Sequence, residues 1–263
     1  MIRVFTLLVA LTANVVIAEK PVVDRGPADL IIENGKIFLL GTNHVALAIK
    51  SNRIIAVGSR ADMEAVIGPN TARLDARGCS VTPGFNDAHV HFLSGSLSLS
   101  QVELSDEDSI ATIEEKIRVF KDKNPKVPWA VNLGPERASR AWVWKSIMDT
   151  GGQLAFGSDW PVVSLDPRLG MHTAMTRKTL KGLPAEGFIP QQQLPLTTVL
   201  DAYTRGSAFA EFTEKEKGTL AVGMLADVII WNQDLFSLPI EQVHTAQILT
   251  TIFDGQVVYQ SDK

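Results

Sequence analysis

Short apolar runs separated by turn dipeptides occupy the front of this chain, and they constrain its fold more than any other feature. ADLIIENGKIFLL (28–40) contains two such runs joined by Asn34-Gly35, a dipeptide typical of a tight type I′ hairpin. VALAIKSNRIIAVGS (45–59) repeats this plan with Ser51-Asn52 at the turn. We therefore expect consecutive antiparallel strands here.

The back of the chain has the same character. KGTLAVGMLADVIIWNQDLF (217–236) and ILTTIFDGQVVYQ (248–260) predict further strands, the latter turning at Asp254-Gly255. Strand-rich ends around a different middle indicate a composite β-sandwich built from residues 19–82 and 218–263. Residues 83–217 would then be inserted into it.

The middle of the chain alternates helical and strand patterns. SIATIEEKIRVFKDK (109–123) places apolar residues on one helical face, and PERASRAWVWKSIMDTGG (135–152) begins with a proline and ends in two glycines. LTTVLDAYTRGSAFAEF (196–212) predicts a third helix, and QLAFGSDWPV (153–162) predicts a strand that leads into a loop bearing Asp159. This order predicts an α/β unit.

Composition excludes several functions. The net charge is −4 and the basic residues form no stripe, so we expect no nucleic-acid partner. Cys79 is the sole cysteine, which excludes an internal disulfide and a cysteine-based zinc knot.

Residues 1–18, MIRVFTLLVALTANVVIA, predict a signal peptide for export. Arg3 supplies the positive charge, an apolar stretch follows, and Val16 and Ala18 precede the expected cleavage point. The alternative is a buried first strand or helix. A membrane anchor is disfavoured because the apolar run is shorter than the ~20 residues that a span needs.

PGFNDAHVHF (83–92) places two histidines, His89 and His91, two residues apart after an apolar run. If residues 81–91 continue as one strand, both imidazoles project to the same side and could bind one ion. Imidazole nitrogen is a common zinc ligand, and catalytic zinc sites keep one position open. The alternative is two polar residues on an exposed strand face.

Asp159 is the second candidate, because it follows a predicted strand at the point where a loop begins. In parallel α/β barrels such strand ends carry the catalytic groups, and a carboxylate there could bind a metal and accept a proton. The alternative is an Asx turn or helix cap before Trp160-Pro161. His44, His172 and His244 are predicted to be surface or packing residues, with His172 the best further candidate.

The chain resembles the amidohydrolase superfamily, specifically its YtcJ-like branch (amidohydrolase family 3). The resemblance lies in VTPGFNDAHVHFLSGSLSLSQVEL, in LGPERASRAWVWKSIMDTGGQLAFGSDWPV and in AYTRGSAFAEFTEKEKGTLAVGMLADVIIWNQDLF. It implies a TIM-type (β/α) barrel and a metal-dependent hydrolase of carbon–nitrogen bonds in small-molecule amides. It also implies that His89, His91 and Asp159 bind a divalent metal, for which zinc is preferred, and that Asp159 is the general base.

The chain departs from this family in the length of the barrel region. Residues 82–217 give 136 positions, whereas a complete barrel uses about 250. The family's further histidine ligands are also missing, because no histidine lies between His91 and His172. We therefore expect an incomplete barrel whose open sheet edges favour pairing with a second copy of the chain. The alternative function is a catalytically inactive remnant that acts as a binding protein.

Overall fold

The computed structural model describes residues 26–39, 42–89, 112, 115 and 142–261. Four predicted features lie wholly or largely outside these residues: the signal peptide, His91, the helix over 109–123 and the start of the next helix. Of the first of these helices, Thr112 and Glu115 are described, and both are helical. Within the described part of the chain, no helix is long and apolar enough to cross a membrane.

Strands from both ends of the described chain form two sheets. The first sheet has the order β5-β4-β1-β6, and the second has the order β10-β9-β8-β7-β2-β3. The bounds are β1 Leu30–Glu33, β2 Lys36–Leu39, β3 Thr42–His44, β4 Ala46–Lys50, β5 Arg53–Gly58, β6 Ala72–Asp75, β7 Ser80–Pro83, β8 Val228–Trp231, β9 Ile248–Phe253 and β10 Gln256–Gln260. We call residues 26–39, 42–83 and 218–261 the two-sheet region.

Two of the three predicted hairpins are present. β4 and β5 pair antiparallel around Ser51, and β9 and β10 pair antiparallel around Asp254-Gly255, where both residues have positive φ. The backbone conformation that these turns require is one that Asp and Gly adopt readily.

The predicted hairpin at Asn34-Gly35 is wrong. β1 pairs with β4 and β6, while β2 pairs with β3 and β7, so the dipeptide carries the chain from one sheet to the other. Gly35 lies so close to Val81 that an added Cβ would stand 2.6 Å from a Val81 methyl carbon. The glycine is therefore needed for close packing of this crossing rather than for a two-residue turn.

A buried aliphatic cluster joins the two sheets. Ile32, Leu47 and Ile54 contribute from the first sheet, and Val81 and Ile230 from the second. Successive side chains of a strand point to opposite faces, so these residues lie on the inward faces, while Ile31, Ala48 and Ile55 on the other face of the first sheet join a separate buried cluster. Burial of this apolar surface is the main stabilising term for the two-sheet region.

We call residues 84–89 and 142–217 the loop-and-helix region. Its helices form a second buried cluster with Trp231, the last residue of β8, and with Leu235, which follows that strand. Their bounds are α2 Trp144–Asp149, α3 Pro167–Thr176, α4 Leu196–Asp201, a π-helix over Ala202–Gly206 and α5 Ser207–Ala210; α1 (Arg60–Met63) belongs to the two-sheet region.

The strands predicted to lead into His89 and Asp159 are not formed as regular strands. β7 ends at Pro83, and residues 84–89 and 153–158 lie outside any ladder. The backbone groups that a ladder would pair instead form hydrogen bonds between these two segments and with carbonyls of the π-helix. Leu154 and Phe156 of QLAFG still point inward and pack against the second cluster.

Candidate functional site

Two extended segments lie side by side and form the candidate site. Ala88 N–H donates to the Phe156 carbonyl at 3.2 Å, and Asp159 N–H donates to the His89 carbonyl at 2.7 Å. The two segments therefore run in the same direction. This contact brings together His89 and Asp159, which are distant in sequence.

The side chains of His89 and Asp159 meet directly. His89 Nε2 lies 3.2 Å from Asp159 Oδ1, and the two side chains are 63% and 46% exposed. Asp159 has φ of 54°, in the left-handed region that aspartate tolerates better than most residues. Oδ1 of Asp159 is itself buried at this contact, whereas other atoms of both side chains are open to solvent. The pair can form an ion pair or share a cation.

The spacing of this pair fits two ligands of one metal ion. Nitrogen and oxygen ligands bonded at ~2 Å to a tetrahedral zinc lie roughly 3.3 Å from each other. Imidazole nitrogen and carboxylate oxygen are also donors that zinc accepts. Among the described residues, however, no group of three or more His, Cys, Asp or Glu side chains could hold a metal. His91, the further ligand that the sequence predicts, lies outside them.

Asp87 joins the two segments, and the sequence did not identify it as a site residue. Its Oδ1 accepts hydrogen bonds from Ser158 N–H at 2.8 Å and from His89 N–H at 3.1 Å. Its Oδ2 accepts a hydrogen bond from the Ser158 hydroxyl. The bond to His89 is an Asx turn, for which an Asp two residues before the histidine is a recognisable signal. The bonds to Ser158 have no local signal.

Gly157 permits the close approach of these segments. A Cβ at this position would overlap the His89 amide nitrogen, and it would stand 2.5 Å from Asp87 Oδ1 and 3.0 Å from the His89 carbonyl oxygen. Two of these neighbours are backbone atoms, which cannot rotate away. A glycine is therefore required where the Asp159 segment passes the His89 segment.

The π-helix anchors both segments to the helices. Phe156 N–H donates to the Ala202 carbonyl at 3.0 Å, and Asn86 N–H donates to the Tyr203 carbonyl at 2.9 Å. A π-helical turn displaces carbonyls from the ordinary α-helical pattern, and such turns are frequent at functional sites. Here the carbonyls of this turn serve as acceptors for the two segments that carry the site.

Aromatic rings pack beneath the site. Tyr203 stacks on Phe85 with ring centroids 5.6 Å apart and contacts Phe156 edge-on at 5.4 Å. Trp144 contacts Phe156 at 5.3 Å. Burial, together with the negative charges of Asp87 and Asp166, raises the pKa of Tyr203 to about 12. Its hydroxyl therefore stays protonated at neutral pH, so the ring adds no charge beneath the site.

The remaining described histidines lie away from this pair. His172 is buried on α3, and its Nε2 lies 3.4 Å from the Thr179 carbonyl oxygen. Its ring packs edge-on against His244, with centroids 4.7 Å apart. His44 belongs to β3, at the edge of the second sheet.

Comparison with known proteins identifies the family. A family model described as "Amidohydrolase family" matches residues 127–259. YtcJ of Bacillus subtilis (strain 168), named as an amidohydrolase, is 34% identical over 134 residues, which are 51% of this chain and 25% of that protein. An adenine deaminase of Moorella thermoacetica is 28% identical over 196 residues, covering 61% of this chain and 32% of that protein. The chain thus spans about a quarter to a third of the length of these curated relatives.

A solved structure shares the fold. It is the E241Q mutant of the atrazine chlorohydrolase TrzN from Arthrobacter aurescens TC1, complexed with zinc and atraton. The TM-score is 0.56 at 11% identity, and the match covers 88% of this chain and 95% of that chain. At this identity the likeness concerns the fold alone.

Proposed function

This chain belongs to the amidohydrolase family, and from that premise we propose that it hydrolyses a carbon–nitrogen bond of a small, non-peptide amide at a divalent metal site. The site would include His89 and Asp159 together with His91, and zinc is the metal we propose. We also propose that the fold is an incomplete TIM-type barrel on a composite β-sandwich. One observation carries the proposal: His89 Nε2 and Asp159 Oδ1, from distant parts of the chain, converge to 3.2 Å.

A divalent metal, when bound, supplies Lewis acidity that activates water and polarises the scissile carbonyl. His89 would contribute its imidazole Nε2, the atom that faces Asp159. Asp159 would contribute Oδ1 to the same point, and its carboxylate would accept a proton from water and return it to the departing amine. The Asp159 side chain is 46% exposed, so water can approach this carboxylate.

The competing function is that of an inactive remnant that binds a small molecule or a partner. It is favoured by the absence of a three-residue metal cluster within the described residues. The two proposals differ in what they predict for metal content, because a remnant needs no metal to fold or to bind.

Metal analysis of the purified protein tests the proposal. After equilibration with Zn²⁺ and dialysis, we expect at least one bound zinc per chain, and we expect His89→Ala to lose it. His44→Ala, the same substitution on an edge strand of the second sheet, is the matched control and should keep the metal. Amine release from a panel of small N-substituted amides should then depend on metal and fall to background in His89→Ala. Failure of the unaltered protein to retain zinc, manganese or iron would contradict the metal site and favour the remnant.

A further inference from the structure

We propose that Asp87 is the positioning residue of the His89–Asp159 pair; the inference rests on the proposed function of that pair as metal ligands. Asp87 is not itself one of the proposed ligands. Its two carboxylate oxygens accept three hydrogen bonds, one from the backbone N–H of His89 and two from Ser158, which precedes Asp159. One carboxylate thereby fixes the separation of two segments that are distant in sequence.

The bonds to Ser158 also set the turn that presents Asp159. Ser158 is 8% exposed, and its Oγ, held by Asp87, accepts a hydrogen bond from Trp160 N–H at 3.1 Å. Asp159 lies between these two anchored residues with its left-handed φ of 54°. Because a left-handed residue needs support from its surroundings, loss of the Asp87 carboxylate would release the turn and let Oδ1 of Asp159 move away from His89.

The position of Asp87 makes this role separable from general stability. The residue is exposed, so its removal leaves no cavity. Asp87→Asn preserves the size of the side chain but replaces one acceptor oxygen with an amide donor, which cannot accept from Ser158. Asp87→Ala removes all three bonds. The two variants should therefore show a graded effect on the pair.

Asp75 offers a matched control in the two-sheet region. Its Oδ1 accepts from Arg77 N–H at 2.8 Å, two residues ahead, and from Asn34 Nδ2 at 3.0 Å. This repeats the Asx-turn geometry of Asp87, with a second bond to a distant residue. Asp75→Ala should therefore match the effect of Asp87→Ala on thermal stability while leaving metal binding unchanged.

Cobalt(II) titration followed by visible absorption, with Co²⁺ as the probe, measures metal affinity directly. We expect the affinity to fall ~10–100-fold in Asp87→Ala, the usual effect of removing a residue that orients ligands, with Asp87→Asn intermediate. Asp75→Ala should bind as the unaltered protein does. Hydrogen exchange of the metal-free protein provides a second readout: the Asp159 amide, which donates to the His89 carbonyl, should exchange faster in Asp87→Ala and not in Asp75→Ala.

The outcomes separate the two proposals. Unchanged exchange of the Asp159 amide, or cobalt affinity within threefold of the unaltered protein, overturns the role of Asp87 while the metal site stands. If the unaltered protein binds no cobalt, the proposed function fails, and the role of Asp87 as an organiser of metal ligands fails with it. Reduced affinity together with faster exchange, at a melting temperature matching that of Asp75→Ala, supports positioning over a general loss of structure.

Discussion

Backbone ladders and a shared aliphatic cluster hold the strands of the two-sheet region. In the loop-and-helix region, a few specific hydrogen bonds hold the segments that carry His89 and Asp159. Each interior strand of the two sheets pairs with two neighbours, and three of these ladders contain one register shift. Residues 84–89 and 153–159 are held instead by isolated backbone hydrogen bonds, by the Asp87 carboxylate and by carbonyl acceptors of the π-helix. The stability of the molecule and the geometry of its site therefore depend on different residues.

The largest expected effect is a loss of stability in the two-sheet region without a change in metal binding. Leu47 is fully buried on β4, between β5 and β1. Leu47→Ala should lower the free energy of unfolding by about 2–5 kcal/mol, through lost burial and the cavity left behind. Urea denaturation measures this, with Val45→Ala, a 45% exposed neighbour, as the control. Weaker cobalt binding by the folded protein would contradict the separation of the regions.

Gly157→Ala should weaken metal binding as well as stability. Its Cβ would press on the backbone of His89, so we expect ~10–100-fold weaker cobalt binding, with a loss of about 1–3 kcal/mol in stability from overpacking. Gly26→Ala is the matched control, because there the nearest atom is the flexible Lys50 ammonium at 2.8 Å. Unaltered cobalt affinity would show that the segments can separate without disturbing the pair.

A smaller effect on stability is expected from a change of pH, because α3 carries the buried His172. Burial lowers the pKa of His172 from its ordinary value of 6.5; His244 and Lys178 act in the same direction, and the Thr179 carbonyl and Glu241 oppose them. The folded protein then binds fewer protons than the unfolded chain between the lowered pKa and 6.5. The contribution of His172 is therefore complete above 6.5 and is lost as the pH falls through that window.

Urea midpoints measured from pH 7.5 to pH 5 test this dependence. The midpoint should fall toward acid pH, and His172→Gln should reduce the fall because it removes the titrating group. His44→Gln serves as the control for changing one histidine. Parallel curves for His172→Gln and the unaltered protein would show that protonation of His172 does not oppose folding.

The comparison also shows which parts of the structure the sequence could predict. The turns at Ser51 and Asp254 were predicted because their dipeptides carry the required backbone conformations locally. Asn34-Gly35 has the same local signal, yet pairing with distant β6 and β7 decided its geometry. At the site, His89 and Asp159 were chosen from a motif and a resemblance. Asp87 and Gly157 were missed as site residues, because their contacts arise when segments distant in sequence meet.

The smallest expected effect tests whether surface charge contributes to holding the loop-and-helix region. Lys145 and Asp149 lie one turn apart on α2, with Nζ 2.7 Å from Oδ2, and their side chains are 46% and 61% exposed. Such pairs contribute little, and here the lysine is nearer the helix N-terminus, against the helix dipole. Lys145→Ala should change the free energy of unfolding by less than about 0.5 kcal/mol in urea denaturation at low salt, and cobalt affinity should be unaltered. A larger loss of unfolding free energy that 1 M salt abolishes would mean that the charges on α2 stabilise the loop-and-helix region. Ion pairs would then have to be added to the backbone ladders and the specific hydrogen bonds as a third source of stability.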